Sequence, residues 1–200
     1  VAPVKVFVDA DVLHKLYLRK LIFTLHDYEL VQVLWTRDVF DESLRSLTRR
    51  FPNKQVGLYQ MFSNYRSHFF DTEVKHFRHL VGQLGCSDIN DEHVLAGAIA
   101  GQARHLLSFN LNDFPPDSEE RFGVEICRPD EILARLLRMS TNADQIMAHW
   151  LSLFRQPEVS VASGAEALAQ IDCHQLASLL GERHLGVEIA LSEIRRKNIQ

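Results

Sequence analysis

Cysteine is scarce. Cys86, Cys127 and Cys173 are odd in number and far apart in 200 residues, which argues against a disulfide scaffold and for free thiols in a reducing compartment. No apolar run approaches the ~18 residues of a membrane span, so no membrane partner is expected. The opening VAPVKVFVD has no basic region leading into a long apolar segment, so no secretory signal is expected. Positive charge is not in excess either. Twenty-two Lys and Arg stand against twenty-six Asp and Glu, a net charge of −4. That is not the footprint of a protein that binds nucleic acid by bulk charge. Internal repeats, low-complexity tracts and an HExxH motif are all missing, and His76 and His79, at i, i+3, have no cysteine nearby to complete a zinc site.

Hydrophobic residues make up 46% and charged residues 24% of the chain, proportions that favour a packed core over disorder. Periodicity then divides the chain. VKVFV at 4–8 reads as a strand ended by Asp9, residues 12–27 as one mostly buried helix, and LVQVLW at 30–35 as a second strand. Thr36 reads as the N-cap of a helix ending near Arg50, and a further helix covers 54–68. Residues 70–85 are ambiguous between a short strand and irregular structure. Asp88 or Asn90 opens a small-residue helix closed near Gly101, followed by a strand over 105–109, a loop over 110–117 and a strand over 124–127. Such alternation predicts an α/β sandwich with a largely parallel sheet, whose functional residues collect at the carboxyl ends of the strands. From Pro129 onward the pattern is helical, over 131–139, 144–154 and 165–180, with a doubtful strand signal at 159–161 and a frayed, solvated Arg195-Arg196-Lys197 tail. The expected organisation is an α/β domain over 1–128 and a helical C-terminal extension over 129–200.

Acidic residues fall at element boundaries. Asp9 and Asp11 follow the first strand, Glu42 sits off the apolar side of the next helix, Asp88 and Asp91 open the small-residue helix, and Asn110 and Asp113 follow the third strand. Clustered carboxylates raise one another's pKa and characteristically hold divalent cations. Hard oxygen donors of this kind suit Mg2+ or Mn2+, which activate water and clamp phosphate in hydrolysis. Each acid also has a bland role: Asp9 as a strand end, Glu42 as an exposed helical acid, Asp88 and Asp91 as caps, Asp113 as a turn residue. The combination carries more weight than any one of them.

VFVDADVL at 6–13, the Glu42 of TRDVFDESLRSL and above all DINDEHVLAGAIAGQARHLLSFNLNDFP at 88–115 resemble the PIN-domain family, specifically its VapC-like toxin group. The resemblance covers about residues 4–130, and the C-terminal helices are similar, more weakly, to the extension of longer members. It implies a PIN-like three-layer α/β/α sandwich with a largely parallel central sheet. The implied activity is Mg2+- or Mn2+-dependent endoribonucleolytic hydrolysis of RNA phosphodiesters. Asp9 and Asp91 would ligate the principal ion, with Glu42 and Asp113 completing the site. The family's fourth acid corresponds here to Asn110, with Ser108 in the place of its threonine, and Asp113 is the expected substitute. Asp11 stands where many members have asparagine. Asp11, Asp88, Ser108 and Asn110 are therefore secondary candidates, and Arg19, Arg45, Arg49, Arg50 and Lys54 are candidates for RNA phosphate contacts. The resemblance further implies a cytoplasmic toxin restrained by a cognate antitoxin protein, with homodimerisation as a family-level expectation.

Two alternatives remain open on the residues. VFVDADV also fits the nucleophile motif of a haloacid-dehalogenase-type phosphatase, with Ser108 as its second motif. That scheme requires a later lysine, and the sole lysine after Ser108 is Lys197. A non-catalytic PIN-like module that only binds RNA or protein is kept open by Asn110. Setting aside the six acids assigned to one pocket leaves twenty-two basic against twenty acidic residues. The acidic total therefore does not exclude RNA.

Overall fold

A computed structural model describes residues 2–155 and 157–197. The chain folds as two compact units, one of residues 4–14 and 32–128, the other built from residues 2–3, 15–31 and the described part of 129–197. The first unit holds a four-stranded, all-parallel sheet of β1 (Val4–Val8), β2 (Val31–Leu34), β3 (His105–Leu107) and β4 (Glu125–Cys127), in the order β2-β1-β3-β4. Val6 pairs with His105 and Val8 with Leu107, and Leu107 in turn with Cys127. Val6, Phe7, Val8, Leu106 and Leu107 are fully buried, as expected of parallel strands covered on both faces. The chain leaves β1 toward one edge and β3 toward the other. The carboxyl ends of these two central strands therefore flank a topological switch point, where open α/β sheets place their ligands.

The single helix expected over 12–27 is broken. Lys15 is extended, and the segment divides into α1 (Ala10–Leu13) in the sheet-bearing unit and α2 (Leu16–Asp27) in the other. Thr36 caps α3 (Arg37–Arg50), its hydroxyl accepting from Val39 N–H at 3.4 Å. After a turn at Pro52, α4 (Gln55–His68) buries Phe62 edge-on against Phe40, which stacks on Trp35 with centroids 4.1 Å apart. The ambiguous stretch after α4 is two 3-10 turns, Phe70–Thr72 and Arg78–Leu80, stitched to Trp35 by backbone bonds from Trp35 N to Thr72 O and from Val74 N to Trp35 O. Next comes α5 (Glu92–Ala100), which packs tightly on β1: a Cβ built on Gly97 would lie 2.6 Å from the Phe7 ring and 2.9 Å from Thr36 Cγ2. The region after β3, expected as a loop, contains a 3-10 turn at Leu111–Asp113 and leads into α6 (Ser118–Phe122), which ends at Gly123 with φ +73°.

The second unit is helical: α2 with α7 (Pro129–Met139), α8 (Ala143–Ser152), α9 (Val161–Ala169), α10 (His174–Glu182) and α11 (His184–Lys197). Val161, part of the doubtful strand signal, opens α9 behind a Ser160–Ser163 capping box. The helix expected over 165–180 is two helices. The amino end of α10 is held by a remote carboxylate, with Asp130 of α7 accepting from Gln175 N and Leu176 N, each at 2.8 Å. Trp150 of α8 donates to Tyr17 O of α2 at 2.9 Å. The expected frayed tail is instead the last turn of α11, where Arg195 donates to Val159 O and pairs with Glu158 at 3.4 Å.

Candidate functional site

The end of β1 and the end of β3 are tied by a buried polar knot. Asp9, at 7% exposure, ends the strand and N-caps α1, accepting from Ala10 N. The fully buried Ser108, just past β3, directs its hydroxyl at Asp9 Oδ2 (2.8 Å) and Asp11 Oδ2 (3.2 Å). A hydroxyl has one proton, so the two carboxylates share a single donor there. Asp11 also accepts from Phe109 N at 2.8 Å, and Asn110 N donates back to the Ser108 hydroxyl at 3.0 Å. Three of the secondary candidates, Asp11, Ser108 and Asn110, thus join Asp9 in one structure.

A second group lines an open cleft of about 390 Å3 formed by Asp38, Glu42, Arg45, Asn90, Asp91 and His93. Asp88 and Asp91 divide the roles that sequence left undecided. Asp88 is a cap, its carboxylate accepting from Asn90 N and Asn90 Nδ2 at 2.8 Å each. Asp91 occupies the N-cap position of α5 but makes no side-chain capping bond. Its carboxylate is left to the cleft. His93 donates from Nδ1 to Asn90 O at 2.6 Å, which turns Nε2 toward Glu42 Oε2 at 3.5 Å.

Electrostatics join the two groups. Burial, then the charges of Asp11 and Glu42, push the Asp9 carboxyl up to about 7 against the opposing bonds from Ser108 and Ala10. Burial, then Asp113, Asp88 and Glu42, raise Asp91 to about 6, with His93 acting the other way. Glu42 acts on both, and so links the Asp9–Asp11 pair to the Asp88, Asp91 and Asp113 group, with carboxylates drawn from four chain segments. No three His, Cys, Asp or Glu side chains among the described residues converge as a metal-binding group in this arrangement. The chemistry of the donor set nevertheless fits a hard divalent cation, because burial and like charge favour protons on two carboxyls and a cation would relieve that repulsion.

Asp113 is delivered to this neighbourhood by the loop before α5. Ser87 N donates to Asp113 O at 3.0 Å and Ser87 Oγ to Asn112 O at 2.9 Å. The other anchor of that loop is Glu92, which sequence reasoning missed. Glu92 is 3% exposed, and its carboxylate accepts from Gly85 N at 3.0 Å and from Gly82 N. Burial pushes this carboxyl up, but backbone N–H groups of Gly85, Gly82, Leu84 and Cys86 outweigh it and hold the value below the usual range. Positive φ at Gly82 (+89°) and Gly85 (+81°) curls the loop so that its amides face one anion. Burial pushes the Cys86 thiol in the same loop up to about 11, with help from Glu92, Asp91 and Asp113.

The basic candidates separate. Arg45 is exposed on the cleft wall, and Arg49, Arg50 and Lys54 are exposed at and beyond the end of α3. Arg19, expected from sequence at an RNA phosphate, is instead 3% exposed on α2, so its guanidinium is not offered to a phosphate backbone. Of the residues sequence reasoning missed, Asp38 was within reach, lying one helical turn before Glu42 on the same face of α3. His93 was visible only as part of a motif. Comparisons with protein-family models, with curated proteins and with solved structures found no match to this chain.

Proposed function

We propose that this acidic switch-point site belongs to a PIN-like, Mg2+- or Mn2+-dependent endoribonuclease, the toxin of a toxin–antitoxin pair. The observation that carries the reading is that Glu42 and Asp91 line one cleft while Glu42 also acts on the buried Asp9, so that carboxylates from four chain segments raise the proton affinity of Asp9 and Asp91. Asp9, Glu42, Asp91 and Asp113 would hold the ion. When bound, a divalent cation supplies charge stabilisation at the phosphate and acidifies water. Within the chain, Ser108 ties Asp9 to Asp11, His93 faces Glu42, and Arg45, on the cleft wall, would meet a substrate phosphate. A cognate antitoxin that lays a helix or extended segment on this unit and puts a basic side chain among the acids would restrain it. Cytoplasmic residence and a homodimer accompany this reading.

The experiment is RNA hydrolysis by the purified chain with Mg2+ or Mn2+ against chelator, beside Asp91→Asn. Cleavage only with the ion, lost in the variant by at least ~100-fold, is expected. A second reading, a PIN-like module that binds without cleaving, draws on the lack of a convergent three-residue group and on exposed Asn110 in an otherwise acidic position. It is favoured if the wild type leaves RNA intact with either ion while still binding it.

A further inference from the structure

Between Glu42 and Asp71 the chain has no acidic residue and five cations: Arg45, Arg49, Arg50, Lys54 and Arg66. In a protein of net charge −4 this one segment is strongly positive. Arg66 is committed to an ion pair with Asp41. The other four cations are exposed. Their order along α3 is informative. Asp38, Glu42, Arg45 and Arg49 follow at i, i+4, i+7 and i+11, so they share one stripe of the helix. That stripe runs from acid at the cleft to base beyond it, with Arg49 roughly 10 Å past Glu42 along the axis. Arg50 closes the helix beside Arg49, and Phe51 and Lys54 follow just beyond its end.

Phe51 is the second observation. It is 40% exposed, and the Arg50 guanidinium and Lys54 ammonium lie over its ring at 5.4 and 5.8 Å from the centroid. Cations in the last turn of α3 complement the helix dipole, but that role requires no exposed ring between them. An exposed aromatic ring with cations over it takes a nucleotide when those cations turn from the ring to the phosphates and leave its face to the base.

We propose that Arg45, Arg49, Arg50, Phe51 and Lys54 form a track that holds single-stranded RNA where it leaves the acidic cleft, with one base stacked on Phe51. The direction of the track rests on the nuclease reading; its ability to bind a single strand does not. The test is fluorescence anisotropy of a labelled, unstructured RNA of about 12 nucleotides. The protein is the full chain carrying Asp91→Asn, in chelator, over a salt series. Phe51→Leu keeps apolar bulk but removes the π-face; it should weaken binding roughly 5- to 100-fold with the salt slope unchanged, whereas Phe51→Tyr stays within about twofold. Arg49→Gln with Arg50→Gln should weaken binding and flatten the salt slope by about 1.4, the value for two phosphates of a single strand. Thermal melts establish that each variant is folded. Binding by the Phe51→Leu and double-glutamine variants equal to that of the parent overturns the track, as does a parent that binds no RNA at low salt. Wild-type cleavage with Mg2+ reads the nuclease separately. Cleavage with binding indifferent to these substitutions overturns the track alone, and loss of binding in Phe51→Leu without wild-type cleavage upholds the track while the nuclease reading fails.

Discussion

Asp9 sits at 7% exposure with its carboxyl raised from an ordinary 3.8 to about 7 by burial and by the charges of Asp11 and Glu42. The folded chain therefore binds this proton more tightly than the unfolded chain does. Between about pH 4 and pH 7 stability must fall as pH rises, the loss being complete above the folded-state value. In metal-free buffer the melting temperature is expected to drop from pH 5 to pH 8. Asp9→Asn should remove much of that dependence, Asp91 supplying the rest, and stabilise the fold at pH 8, while abolishing RNA hydrolysis. Calorimetry at the two pH values checks this, and a wild type equally stable at both contradicts it. Glu92 gives the opposite case, a buried anion satisfied by backbone amides. Glu92→Ala leaves those donors without their acceptor and should cost ~2–4 kcal/mol in chemical denaturation, with Glu92→Gln losing less because it retains one acceptor oxygen. Equal stability of all three proteins would show that the loop does not depend on this carboxylate.

At the scale of elements, the close packing of α5 on β1 sets the position of the helix whose N-cap is Asp91. Gly97→Ala inserts a methyl against Phe7 and Thr36 and should destabilise by ~1–3 kcal/mol; an unchanged denaturation midpoint contradicts that packing. In the helical unit, Asp130→Ala removes the acceptor for two amides of α10 and should cost ~1–3 kcal/mol, measured the same way, with Asp130→Asn intermediate. How legible these elements were depended on how local their causes are. β1, α3, α4 and β4 were visible within a residue or two because short β-branched runs, a Thr36 cap and i, i+3 apolar spacing are local signals. The break between α1 and α2 at Lys15 was not visible, because the apolar pattern runs through it without a proline or glycine. Nor was the role of Asp130, which caps a helix 45 residues away. In the site, the acids were legible as types at boundaries. The Ser108 knot spans 99 residues and needed the β1–β3 pairing to exist. Glu92 was hidden in DINDEH, where its neighbours point elsewhere and only the two positive-φ glycines hint at a loop folded around an anion.

For the whole molecule, the net charge of −4 averages an acidic switch point with a positive stretch between Glu42 and Asp71. Such a distribution suits a polyanion that must enter a carboxylate-lined cleft, held beside it by cations and admitted once the acids are neutralised. The bland account, an α/β domain with a solvated acidic edge, explains neither the missing capping bond at Asp91 nor the burial of Asp9 against Asp11 on one shared hydroxyl. The two accounts part most directly in a cell. Wild type and Asp91→Asn are expressed under one inducible promoter, and RNA 5′ ends are mapped after induction. The endoribonuclease account predicts growth arrest and new 5′ ends at discrete positions with the wild type alone. Equal growth and identical end maps for the two proteins would contradict it.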